Sequence, residues 1–298
     1  MLNFSRMFLP TFAKPVLYEV PIYLAGCPIG TLNRKTKRKK SVGNIDLKNG
    51  DCLELMQNID KNSIDAIICD LPYGTTNCAW DSILPLDKLW SEYKRILKPN
   101  GVVVLTSTEP FTSVLISSNL KDYKYCWYWD RCIKSNFLNA KHQPIRHIET
   151  IVVFYEGKPT YNPILLPKRK DQIRYNNIPS KQGQTDTLNK IGFIKNRFDS
   201  REIGLEEDYP TELLRFSLPS ANKGRNHPTE KPIDLMRYLI RTYTNENETV
   251  LDNTMGSGTT GVACYIENRN FIGIELDENY YKIANERIEQ YKSQPQLF

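Results

Sequence analysis

From residue 41 onward, short apolar runs alternate with longer stretches in which apolar residues recur every three or four positions. Apolar runs bounded by polar turns read as buried strands, and the 3.6-residue period reads as helices laid against them. Strands are expected at Asn44 to Leu47, Ile64 to Cys69, Val102 to Ser107, Tyr123 to Trp129 and Glu149 to Phe154, and helices at Leu53 to Gln57, Leu86 to Leu97 and Pro110 to Ser118. Between 156 and 226 the chain turns polar, rich in Asn, Lys, Pro and Gly, and the period fades. It returns as helix Pro232 to Tyr243, strand Thr249 to Leu251, helix Thr259 to Ile266, strand Phe271 to Glu275 and helix Glu278 to Tyr291. Strands separated by helices imply an α/β fold with a doubly wound, mostly parallel sheet covered on both faces. The aperiodic middle is then an insertion or a second small domain.

Length and composition agree with a folded enzyme-sized body. The 298 residues are 40% hydrophobic, enough for a substantial core and against disorder. The net charge of +6 favours anionic partners, although a lysine excess also serves solubility. Seven cysteines without a CxxC pair read as reduced thiols in an intracellular, cytoplasmic chain with no structural zinc. Val16 to Ile29 is apolar but short and broken by Glu19 and two prolines, so neither a membrane span nor a signal peptide is expected. Residues 1–40 form an N-terminal extension ending in the basic run "RKTKRKK", Arg34 to Lys40, which reads as a solvated linker or a phosphate-touching arm.

Ligands of doubly wound sheets bind beyond the carboxyl ends of the strands. Two motifs occupy such ends. In "VLDNTMGSGTTG", Val250 to Gly261, a strand ends at Asp252, and Gly256 and Gly258 permit a tight turn that lets backbone approach a ligand before a helix begins near Thr259. Glu275 follows about twenty residues later at the next strand's end, where an acid can accept from two ribose hydroxyls. No lysine follows Gly258 as a triphosphate loop would require, so an adenosine-bearing cofactor without a triphosphate fits better. In "IICDLPYGTTNCAWD", Ile67 to Asp81, Asp70 leaves a strand, Pro72 fixes one φ angle, and Gly74 lets the chain turn away, holding Tyr73 beside the acid. An aromatic face with a carboxylate and a neighbouring carbonyl can grip a flat ring and accept both hydrogens of an exocyclic amine.

"DLPYG" resembles the DPPY motif of amino-group DNA methyltransferases, "LDNTMGSGTTG" their S-adenosylmethionine loop, and "NHPTEKP", Asn226 to Pro232, the segment ahead of that loop. The catalytic motif comes first and the cofactor loop last, an order that resembles the permuted β class with its Rossmann-like methyltransferase fold. The resemblance implies a catalytic half at 41–155, a target-recognition insertion at 156–226 and a cofactor-binding half at 227–298. It implies that Asp70 and the carbonyl of Leu71 accept the amine hydrogens while Tyr73, held by Pro72, stacks on a flipped base. S-adenosyl-L-methionine would lie against Asp252, Gly256, Gly258 and Thr259, with His227, Pro228 and Lys231 close by, Glu275 on the ribose and Asp51 facing the adenine ring. Leu71 stands where the family has proline, but the role there belongs to the backbone.

An exocyclic amine is a poor nucleophile because its lone pair is delocalised into the ring. Two oriented acceptors favour a pyramidal nitrogen, so positioning and electrostatics carry the reaction without a covalent enzyme intermediate. Aspartate at the first motif position resembles the adenine-N6 enzymes, serine the cytosine-N4 ones. Double-stranded DNA is the expected partner. Between Lys168 and Arg201 there are nine bases against three acids, and Lys168, Arg169, Lys170, Arg174, Lys195 and Arg197 are candidate DNA contacts. A second loop, Lys134 to His142, is a further candidate, whereas the alternate aromatics from Tyr123 read as core; His142 and His147 lack metal-ligand spacing. Cytosine-N4 methylation, methyl transfer to RNA or protein amide, and a catalytically idle DNA-binding homologue stay open, as do a homodimer and a cognate restriction endonuclease.

Overall fold

The structure, a computed structural model, describes residues 43–74, 84–135, 137–167, 207–218 and 230–293. Residues 1–40, His227, Pro228 and the six candidate DNA-binding cations between Lys168 and Arg197 lie outside the described residues. Strands are β1 (Ile45–Asn49), β2 (Ile64–Asp70), β3 (Leu97–Ser107), β4 (Tyr123–Ser135), β5 (Arg146–Phe154), β6 (Leu166–Pro167), β7 (Glu207–Asp208), β8 (Leu213–Arg215), β9 (Thr249–Asp252) and β10 (Asn270–Glu275). Helices are α1 (Cys52–Met56), α2 (Leu86–Ile96), α3 (Phe111–Ser118), α4 (Ile233–Tyr243), α5 (Thr259–Ile266) and α6 (Glu278–Ser293).

Eight strands form one sheet in the order β1-β10-β9-β2-β3-β5-β4-β8, and β6 pairs with β7 separately. The central strands alternate between two cores, as a period of two requires when both faces are covered. Ala66, Ile68, Val102, Val104, Ile151 and Val153 pack with α4, α5 and α6 on one face. Ile67, Cys69, Val103, Leu105, Val152 and Phe154 pack with α1, α2 and α3 on the other. Trp127 and Trp129 are buried while Tyr128, between them, is 44% exposed, so the aromatic run from Tyr123 is core on alternate positions.

Two features differ from the expected pattern. β5 runs antiparallel to both β3 and β4, because the loop joining β4 to β5 contains no crossover helix and a short connection can only return the chain antiparallel. The end of the aperiodic segment also joins the main sheet: β8 pairs parallel with β4 and buries Leu214. Near its start, Asn162 donates its backbone N–H to Thr242 (2.7 Å) and its amide to Arg241 and Thr244 carbonyls, tying the segment to the end of α4.

From β9 the chain crosses through α5 to β10 on one side, whereas from β2 it crosses through α2 to β3 on the other. The sheet therefore reverses its winding between β9 and β2, which are hydrogen-bonded neighbours, and that crevice is where doubly wound sheets bind ligands.

Candidate active site

Asp51 follows β1, Glu275 ends β10, the glycine turn follows β9 and Asp70 ends β2, so they stand in that order along one carboxyl edge. Asp51 caps α1, its carboxylate accepting from the N–H groups of Leu53 (2.8 Å) and Glu54 (3.2 Å). The N–H of Gly50, just ahead of it, donates to the carbonyl of Glu275 at 3.0 Å. The Glu275 carboxylate accepts from Gly256 N–H (2.8 Å) and Asp277 N–H (2.9 Å); burial raises its pKa, and those two bonds oppose the rise.

The turn from Asn253 to Gly258 needs its glycines for two different reasons. Gly256 has φ +53°, and a Cβ there would meet nothing within 4 Å, so the turn faces open space at this point. Gly258 has φ +76°, and a Cβ there would come within 2.9 Å of the Ala284 Cβ, so α6 can close on the turn only over a bare backbone. Asp252 is buried and accepts from Thr260 Oγ1 (2.6 Å) and Thr254 N–H (3.2 Å). Burial pushes its carboxyl up to about 7 despite those bonds. Arg287 of α6 donates to Ser257 O (3.2 Å) and Thr259 Oγ1 (3.0 Å) and pairs with buried Glu230 at 2.5 Å, clamping the turn from beneath. These features fit S-adenosyl-L-methionine: an anchored acid at the end of β10, a capping acid one strand further out, and open space over Gly256 beside the anchored acid.

Asp70 ends β2 with its carboxylate surrounded by donors. The hydroxyls of Tyr73 and Thr106 both donate to Oδ1, and Lys231 Nζ donates to Oδ2 at 2.7 Å. Lys231 also lies 3.5 Å from Glu149 Oε2, and Glu149 pairs with Arg131 at 3.1 Å. The Lys231 side chain is only 10% exposed, and its burial pulls the pKa down. The Asp70 and Glu149 carboxylates outweigh that pull and raise it above the ordinary lysine value, so the group is a cation. Burial, then the Asp70 charge, raises the Tyr73 phenol well above its usual range, so it is a neutral donor. The Tyr73 ring lies 5.4 Å from that of Phe111, tilted by 34°, and Leu71 is buried.

The two motifs touch. Thr254 Oγ1, in the cofactor-side turn, donates to the backbone carbonyl of Asp70 at 3.0 Å. Beneath them Asn253 Oδ1 accepts from Tyr93 OH (2.6 Å) and Cys69 Sγ (3.3 Å). Thus the structure brings together Asp70, Leu71, Pro72, Tyr73, Lys231, Asp252, Gly256, Gly258, Thr259 and Glu275, with Asp51 at the end of the same edge. The sequence expectation assigns no role to Thr106, Glu149, Arg131, Thr254, Glu230 or Arg287: Thr254 and Glu230 lie inside the two cofactor-side motifs and the other four outside any, but each acts through a neighbour distant in the chain. Among the described residues no cluster of His, Cys, Asp and Glu could hold a metal ion, and no helix is long and apolar enough to cross a membrane.

A family model described as DNA methylase, of the N6 and N4 type, matches residues 64–286. The chain is 28% identical over 257 residues to the Type II methyltransferase M.HpaI of Haemophilus parainfluenzae, covering 80% of this chain and 72% of that protein. It is also 28% identical over 258 residues to the DNA adenine methyltransferase YhdJ of Escherichia coli (strain K12), covering 80% and 81%. Among solved structures, the M1.HpyAVI–SAM complex is similar at a TM-score of 0.55 and 25% identity, over 82% of this chain and 98% of that one. The match runs from β2 through most of α6 and includes both motifs at the β2–β9 crevice: the chain belongs to the N6/N4 DNA methylase family and is an S-adenosyl-L-methionine-dependent DNA methyltransferase.

Proposed function

We propose that the protein methylates the N6 amine of adenine at a specific sequence in duplex DNA, by direct transfer to a base flipped out of the helix. The observation that carries this reading is the Thr254-to-Asp70 hydrogen bond of 3.0 Å, which fixes the candidate base-side acid against the cofactor-side turn. S-adenosyl-L-methionine, when bound, supplies the electrophilic methyl group. Gly256 gives it room, Glu275 takes the ribose hydroxyls and Asp51 faces the adenine ring, while Asp252 and Thr259 hold the turn's shape.

On the base side, Asp70 and the Leu71 carbonyl orient the target amine. Asp70 Oδ1 is filled by two hydroxyls, so the incoming N–H displaces the Tyr73 phenol, an exchange of one hydrogen bond for another that is close to neutral. Freed, the Tyr73 ring stacks on the base, returning about 1–3 kcal/mol of the few spent in extracting it. Lys231 keeps Oδ2 pinned meanwhile. As the nitrogen gains positive charge, Asp70 stabilises it and is the nearest acceptor for the departing proton. Lys168, Arg169, Lys170, Arg174, Lys195 and Arg197 hold phosphates in this reading, and His227 and Pro228 flank the cofactor. Aspartate at the motif's first position supports adenine, as does the relative named as a DNA adenine methyltransferase. The reading puts the enzyme in the cytoplasm.

The test is the identity of the product. Host DNA from cells expressing the chain, digested to nucleosides and analysed by mass spectrometry, should contain new N6-methyladenine, and modification-sensitive sequencing of the undigested DNA should place it in one sequence context. N4-methylcytosine would move the target to cytosine, and no methylated base would reject the reading.

A further inference from the structure

The β4–β5 hairpin overshoots the edge that carries the candidate site. Asp70 is level with Thr106 on β3, and Thr106 with Ile151 on β5. From Ile151, β5 reaches five residues further out, to Arg146, where it still pairs with Ser135 of β4. At about 3.4 Å per residue, the paired arm projects about 17 Å beyond the level of Asp70. Its root is fixed to the site, since Arg131 on β4 pairs with Glu149 on β5 at 3.1 Å and Glu149 meets Lys231 at 3.5 Å.

The tip has an unusual surface. Between Arg131 and His147 the sequence contains Lys134, Lys141 and Arg146 but no Asp or Glu. In the middle of this basic stretch, at the start of a short 3-10 turn, Phe137 is 63% exposed, and Ile133 is 43% exposed nearby on β4. An aromatic ring in water at the end of a cationic arm does nothing for the fold. It suits a duplex from which a base has just been removed, because an apolar side chain pushed between base steps offsets lost stacking while cations hold the flanking phosphates.

We propose that this hairpin is a DNA wedge: Phe137 enters the stack at the position the target base vacates, with Lys134 and Lys141 on neighbouring phosphates. An arm of about 17 Å is long enough to cross a major groove about 8.5 Å deep while the extruded base reaches Asp70. The inference rests on the base-flipping reading above and assigns the residue that fills the gap.

The test uses the full chain and a duplex oligonucleotide of the sequence that modification-sensitive sequencing identifies, either fully paired or with an abasic site opposite the target. Phe137→Ala should slow single-turnover methylation of the paired duplex at least tenfold and that of the abasic-opposed duplex less than twofold; Phe137→Trp should stay within twofold of wild type on both. Lys134→Gln combined with Lys141→Gln should flatten the log Kd against log salt slope by about 2. Equal slowing on both duplexes, or no slowing on the paired one, overturns the wedge. Wild-type enzyme that labels neither duplex would instead overturn the proposed function.

Discussion

Replacing Lys231 with methionine keeps most of the side-chain volume and deletes the ammonium that joins Asp70 to Glu149. The structure sets the scale. Nζ is 2.7 Å from Asp70 Oδ2 and 3.5 Å from Glu149 Oε2, with the lysine side chain 10% exposed. At an effective dielectric near 20, a contact of 2.7 Å carries a gross attraction of about 6 kcal/mol, much of which offsets the desolvation of the ions. Breaking a buried pair by removing one partner typically costs about 3–5 kcal/mol. The low end applies here, because the Asp70 side chain is 26% exposed and Glu149 keeps Arg131, so water can reach one carboxylate and an arginine shields the other. A loss of about 3 kcal/mol in urea-measured stability is expected for Lys231→Met. Asp70 Oδ2 would also lose its anchor, and single-turnover methyl transfer with saturating DNA should fall about a hundredfold, while calorimetric cofactor affinity changes less than threefold. Lys231→Arg should recover the stability, since it keeps the charge, but not the full rate, since a planar fork cannot reproduce the ammonium's position. If cofactor affinity instead collapses with the rate, Lys231 serves the cofactor and the Asp70 linkage is not its role.

Other consequences follow from single contacts. Thr254→Val removes the hydroxyl that reaches the Asp70 carbonyl, so kcat should drop about five- to tenfold, the equivalent of one hydrogen bond of about 1 kcal/mol, with cofactor Kd unchanged; an unaltered kcat would show that the link does not set the acid's position. Gly258→Ala would place a methyl 2.9 Å from the Ala284 Cβ at φ +76°, and a chemical melt should show a loss of about 2–4 kcal/mol. Asp252 has its folded pKa raised to about 7 from 3.8, so between those values the native state holds more protons than the unfolded chain, and stability falls as pH rises through that window. Asp252→Asn should flatten this fall, with the wild-type minus variant difference declining by on the order of 3 kcal/mol between pH 4 and 7 in pH-resolved melts. A parallel pair of curves would put the buried carboxyl's titration elsewhere.

The central strands were legible because burial on both faces writes itself as near-continuous Ile, Val, Leu and Cys, as in Ile64 to Cys69. Asp70 and Glu275 stand out for the complementary reason: each is an acid directly after such a run. The antiparallel β5 was not legible, because its apolar pattern matches that of a parallel strand and only the missing helix between Trp129 and Glu149 betrays the reversal. β8 carries one buried residue, Leu214, in three positions, too little for any periodic signal. Lys231 stands in a recognisable motif, but its partners, Asp70 and Glu149, are 161 and 82 positions away and leave no sign in the local sequence. Arg287 shows the same limit: a charged residue on a helix reads as solvent-facing, yet this one is buried because it reaches Glu230 and the glycine turn.

The central claim is that the acid ending β2 and the glycine turn after β9 serve two different ligands across one crevice. Cofactor affinity and methyl-transfer rate measured side by side on Asp70→Ala address it most directly. Transfer to DNA should disappear while S-adenosyl-L-methionine Kd stays within threefold of wild type; loss of both together, or transfer that survives, would contradict it.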